Sequence, residues 1–92
     1  MTYRIDDFRV MPRGQKIWAS ADITLHYTRG DILRIHGIKL LKGRNGLFIA
    51  MPTRRIGDKF QTTCEILDMN LVRELRADMI KRYHAQMQTH AD

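Results

Sequence analysis

Apolar residues alternate with polar ones most cleanly from Ile17 to His26. There Ile17, Ala19, Ala21, Ile23 and Leu25 interleave with Trp18, Ser20, Asp22, Thr24 and His26. A period of two places one set on a core face and the other on a wetter face, so this stretch is predicted to be a β-strand. Trp18 falls on the wetter set, where it suits either a covered position or a platform for stacking. Upstream, Ile5, Phe8 and Val10 change frame by one residue, and a bulge near Asp6-Asp7 would reconcile them in a strand over Tyr3 to Met11. Downstream, Leu33 and Ile35 lie on one frame and Ile38 and Leu40 on the other. A bulge or bend at His36-Gly37 restores a single core face.

Turn chemistry separates these runs. Met11-Pro12-Arg13-Gly14 and Thr28-Arg29-Gly30-Asp31 each combine residues that preset or relax φ. Asn45-Gly46 tolerates the positive φ of a type I′ turn and predicts a hairpin. The strand leaving it, Leu47-Phe48-Ile49-Ala50-Met51, has no polar residue, as expected of a central strand covered on both faces. Pro52 withholds an N–H from the ladder and ends it, so Arg54-Arg55 emerge at a rim. After the Gly57-Asp58 loop, Lys59 to Leu67 is predicted as the last strand, with Cys64 as a small half-buried strand residue.

From about 69 to 88 the period changes. Leu71, Val72, Leu75, Met79, Ile80, Tyr83 and Met87 recur at three and four without Gly or Pro, which predicts an amphipathic helix capped by Asp68 or Asn70. The last four residues are expected to fray. The predicted fold class is α+β: an antiparallel β-sheet of about five strands with a C-terminal α-helix, forming a single domain over residues 1–92.

Charge then points to a partner class. The chain of 92 residues has a formal net charge of +6, and the excess is local. Residues 13–64 carry Arg13, Lys16, Arg29, Arg34, Lys39, Lys42, Arg44, Arg54, Arg55 and Lys59 against only Asp22, Asp31 and Asp58. A polyanion is the leading partner for such a surface. Phosphate neutralisation is assigned to Lys42, Arg44, Arg54, Arg55 and Lys59, with Lys39 and Arg34 behind them and Arg73 and Arg76 added from the helix. The competing reading for each is a solvated face.

Other chemistries have little support. Cys64 is the only cysteine, so it has no internal disulfide partner. His26, His36, His84 and His90 lack metal-ligand spacing, and there is no phosphate loop or nucleophile elbow. Asp22, Asp31 and Asp58 with His36 could build a Mg²⁺-dependent nuclease site, but each also suits a turn. The expectation is a non-enzyme without cofactor or metal. No apolar run approaches a membrane span and no leader precedes the first strand, so a cytoplasmic location is expected.

His36-Gly-Ile-Lys-Leu-Leu-Lys-Gly43 followed by Arg44-Asn-Gly-Leu-Phe-Ile-Ala-Met-Pro-Thr-Arg-Arg55 resembles the hallmark segment of the SpoVG family of septation regulators, and Ile23-Thr24-Leu25 and Tyr83-His84 resemble it too. The departures are a longer segment between Leu25 and Gly43, Gly37 after His36, Lys39 in place of an arginine, and no His-Pro around Glu65 to Leu67. The resemblance implies a small β-sheet with a C-terminal helix, a homodimer built by strand pairing, and DNA or RNA binding by a bacterial regulator of septation or sporulation. It also implies that the start of the helix docks beside Arg54-Arg55. The alternative is a protein–protein interaction module in cell division or septation, docking through a strand edge or the Met-bearing helix.

Overall fold

The structure is a computed structural model that describes residues 2–89. Four strands, β1 (Thr2–Val10), β2 (Ile17–Tyr27), β3 (Gly30–Gly43) and β4 (Gly46–Ala50), form an antiparallel sheet in the order β1-β2-β3-β4. Two short strands, β5 (Thr53–Ile56) and β6 (Lys59–Thr62), pair only with each other, and the helix α1 (Met69–Thr89) follows. The α+β class holds. His90 and most of the expected frayed end lie outside the described residues.

Bulges keep the apolar positions on one face. Asp6 faces Asp22 and Arg9 faces Ser20, so Asp7 and Phe8 together oppose one residue, with Asp7 at φ 47°. That slip returns Phe8 to the side of Ile5 and confirms the frame change near Asp6-Asp7. In β3, Ile35 pairs with Ile23 and Ile38 with Ala21, leaving His36 and Gly37 opposite Asp22 alone. Gly37 sits at φ 81°, which a side chain would resist. A further slip at Trp18, between the pairs Ile17–Leu41 and Ala19–Leu40, was not anticipated. It turns Trp18 to the helix side, where its ring lies 5.1 Å from that of Tyr83.

The core gathers Ile5, Ala19, Ala21, Ile23, Leu25, Ile35, Ile38 and Leu40 beneath Leu71, Leu75 and Met79 of α1. The spacing of four puts those helix residues on one stripe. Asp68 Oδ1 accepts the N–H groups of Asn70 (3.0 Å) and Leu71 (3.3 Å), so Asp68 is the cap. Tyr3 Oη donates to Asp78 Oδ2 at 3.1 Å and ties β1 to the helix. Burial, reinforced by the Asp78 charge, pushes that phenol up to about 12.

Three expectations are corrected. First, the apolar strand after Asn45 is an edge, and the centre belongs to β2 and β3. Leu47 and Ile49 face the core, whereas Phe48 stands opposite Leu41 on the helix-free face and is 42% exposed. The run is apolar on both sides because its neighbour Leu41 is apolar, not because β4 is covered twice. Second, the hairpin turn is Arg44-Asn45, closed by Gly43 and Gly46, with the positive φ (116°) at Gly46 rather than Asn45. Third, the last strand stops at Thr62, and residues 63–68 form a connector in which Cys64 and Ile66 rest against the core. Cys64 is half-buried, but not in a strand.

β4 pairs only with Lys39 to Gly43, so the earlier half of β3 has a partner strand on one side alone. Ile32 and Leu33 are exposed along that half.

Candidate functional site

Pro52 closes β4 and its carbonyl accepts both the N–H (2.9 Å) and the hydroxyl (3.1 Å) of Thr63. That clamp pinches the chain into a neck, from which β5 and β6 project as a two-stranded arm. Gly57-Asp58, expected as a loop, is a tight turn between the paired Ile56 and Lys59. Gly57 at φ 63° takes the first central position, as a type II′ turn requires.

Every arm residue from Thr53 to Thr62 is exposed. Alternation sends Arg54, Gln61, Ile56 and Lys59 to one face and Arg55, Phe60, Thr53 and Thr62 to the other. Arg54 Nε donates to Gln61 Oε1 at 3.4 Å, and Arg55 Nε donates to the Gly57 carbonyl at 2.9 Å. These bonds engage one edge of each guanidinium and leave its remaining donors facing outward. Phe60, opposite Arg55, is 72% exposed. Its prominence was not foreseen, because residues 59–67 read as a sheet strand; the two-residue Gly-Asp turn was the available signal.

A second cluster lies at the end of the sheet where β3 turns into β4. Arg76 Nε reaches from α1 to the Leu47 carbonyl at 2.7 Å and meets Arg44 around a recess of about 410 Å³. Lys42, cross-strand from Leu47, holds its Nζ 5.8 Å from the centre of the Trp18 ring. The remaining candidates stand apart. Lys39 is on the helix-free face opposite Ala50, and Arg73 is tethered to Asn70 Oδ1 at 3.3 Å on the first turn of α1. α1 meets β3 and β4, and Arg76 sits at their turn. Two turns into the helix, Arg76 thus forms a junction with the Arg44 turn.

Carboxylates divide the cations into two classes. On the helix-free face, Asp6 accepts from Arg4 (2.8 Å) and from the Thr24 hydroxyl, Arg34 Nε donates to Thr24 Oγ1 (3.0 Å), and Asp31 lies 3.5 Å from Arg4. Thr2 and His26 share a hydrogen bond at the same edge. The Thr24 hydroxyl, followed by Arg4, holds the Asp6 carboxyl below its ordinary range. Asp22 accepts from His36 Nδ1 (2.9 Å) and from the Gly37 N–H (3.0 Å), and the His36 bond lowers its carboxyl likewise. Arg34 therefore belongs to a neutralised network. Lys42, Arg44, Arg54, Arg55, Lys59 and Arg76 form no ion pair among the described residues. These six are therefore free to meet an external anion, as are Arg13, Lys16, Lys39 and Arg73, which also lack an ion-pair partner among the described residues.

Among the described residues no helix is long and apolar enough to cross a membrane, and no three His, Cys, Asp or Glu side chains converge as a metal site.

Comparison with known proteins gives the chain's family. A family profile described as SpoVG matches residues 3–85. Relatives bearing the name "Putative septation protein SpoVG" include one from Clostridioides difficile, 33% identical over 58 residues, covering 62% of this chain and 63% of that protein. Another, from Alkaliphilus oremlandii, is 52% identical over 31 residues, 34% of this chain and 33% of its own. A third, from Macrococcus caseolyticus, is 29% identical over 76 residues, 82% of this chain and 63% of its own. The chain thus spans less than two thirds of the length of these relatives. With a profile match running from β1 into the last turns of α1, the chain belongs to the SpoVG family.

Proposed function

We propose that this chain is a non-catalytic nucleic-acid-binding regulator that grips DNA or RNA through its β5–β6 arm. One observation carries the reading: Arg54, Arg55 and Lys59 stand fully out on a two-stranded ribbon whose only acidic residue is Asp58. A two-stranded ribbon fits the major groove of duplex DNA, and guanidinium forks suit phosphate oxygens and guanine edges alike. Arg44, Arg76 and Lys42 supply a second set of phosphate contacts at the other end of β4, and Lys39 and Arg73 lie outside both sets. In this reading the protein works in the bacterial cytosol as a homodimer. The exposed Ile32-Leu33 edge of β3 is the strand offered for pairing. Septation, which the relatives carry in their name, is the process such binding would serve.

The second reading, a protein–protein module, would use Phe60, a large apolar side chain 72% exposed on the arm. Salt separates the two. Binding of a labelled oligonucleotide, followed by fluorescence anisotropy, should weaken steeply as salt rises. The double variant Arg54→Ala, Arg55→Ala should weaken it further and flatten the slope of log K against log salt by about two. Unchanged affinity and slope would remove the arm from the interface. Sedimentation showing only monomer at micromolar concentration would refute the dimer.

A further inference from the structure

Near the Arg44 end of the sheet, the Met11–Gln15 turn and the last turns of α1 enclose a recess of about 220 Å³. Its floor is Trp18 and Tyr83, with ring planes inclined at 32°, and Met11 and Met87 close the sides. Thioethers and two mutually inclined aromatic rings form a polarisable apolar surface. The rim is polar in a specific way: it holds the Arg13 guanidinium and the Gln15 amide, and no carboxylate lines it. Lys42 lies over the Trp18 ring, and its backbone N–H donates to the Lys16 carbonyl at 3.2 Å, which brings a further cation beside the recess. Tyr83 packs against the core cluster, whereas Trp18 stands outside the core that Leu71, Leu75 and Met79 seal.

An aromatic floor, an amide and a guanidinium at the lip, and cations leading away match a nucleobase carrying a phosphate chain. The volume is below the roughly 300–1,000 Å³ of pockets that take drug-sized ligands, so it suits one base rather than a whole dinucleotide. A base inside a duplex is stacked on both faces and cannot enter. We infer that this recess captures one unpaired base of a single-stranded nucleic acid, DNA or RNA, with the adjoining phosphates running over Arg13, Lys16 and Lys42. This rests on the nucleic-acid-binding reading above and adds to it a preference for unpaired strand. The arm grips backbone, and the Trp18 recess reads whether a base is free.

Trp18 is the only tryptophan in the chain, so its fluorescence reports on the recess directly. The full chain is titrated with an end-labelled single strand and with the duplex of the same sequence, reading label anisotropy and tryptophan emission together. Both probes should raise anisotropy, and only the single strand should quench Trp18. Trp18→Ala should weaken single-strand binding by about ten- to a hundredfold and leave duplex binding unchanged. Arg13→Ala and Gln15→Ala, on an exposed turn with no part in the core, should reduce both the quenching and the single-strand preference in a chain that retains its fold. Single-strand binding without quenching, or equal quenching by the duplex, would overturn the recess while the arm reading stands. Failure of both probes to bind at all would overturn the two together.

Discussion

Asp22 holds open the bulge that lets β3 change frame. With only one residue of β2 facing two of β3, the Gly37 N–H has no ladder partner, and one carboxylate oxygen of Asp22 takes it while the other takes His36 Nδ1. The carboxyl is nearly buried and stays ionised below its ordinary range, the His36 bond being the largest cause. Its contribution to stability is therefore complete above the unfolded value, about pH 4, and is lost as pH falls through the lower folded value. Asp22→Asn keeps an acceptor for Gly37 but removes the charge. At pH 7 it should cost about 1 kcal/mol in urea unfolding, and the deficit should shrink progressively below about pH 4, where the natural side chain also protonates. A deficit unchanged from neutral to acid pH would show that charge is not what Asp22 supplies. The sequence announces this bulge, since the frame slips at a glycine. It is silent on the one at Trp18, where no glycine, proline or break in alternation marks the slip, and the wetter-face reading of that ring failed for that reason.

At the scale of elements, a pattern of side chains reports what each face touches and says less about where the strand sits. β2 alternates apolar with polar residues and β4 has no polar residue, yet β2 is buried from Ala19 to Leu25 between two strands while β4 is an edge where the Leu47 carbonyl is met by Arg76. The helix is the most legible element, because the stripe of Leu71, Leu75 and Met79 and its capping aspartate are both local signals. Asp68 serves two first-turn N–H groups and also places a negative charge at the positive end of a helix whose first turn holds no other acid. Asp68→Ala should lower stability by about 1 kcal/mol, read as a shift in the urea midpoint at constant m-value, and Asp68→Ser should recover most of the loss. Equal loss in both variants would assign the effect to something other than capping. For the last strand, alternation continued from Lys59 towards Leu67 although the partner strand had ended, and only the geometry of the Pro52–Thr63 clamp separates the ribbon from the connector.

For the molecule as a whole, stability and charge are assigned to different parts. The four-stranded sheet and α1 share one core, the carboxylates of the helix-free face are engaged by their own neighbours, and two groups of cations without ion-pair partners stand at the two ends of β4. That the sequence concentrates positive charge around this strand was readable from composition. That the charge at one end rides on a separate ribbon was not, because separation depends on the absence of a pairing partner. The arm contributes no side chain to the core cluster, and its neck is closed by bonds between Pro52 and Thr63, both outside the ribbon. Replacing residues 53–62 with a short Gly-Ser turn should therefore leave the urea midpoint nearly unchanged, since only exposed residues are removed and surface changes away from such features fall within about 0.5 kcal/mol. The same replacement should abolish most duplex affinity and reduce its salt dependence, because the groups that displace counterions have gone. A large fall in stability would mean that the ribbon is part of the folding unit. Retained affinity would instead transfer duplex binding to Arg44, Arg76 and Lys42 at the opposite end of β4.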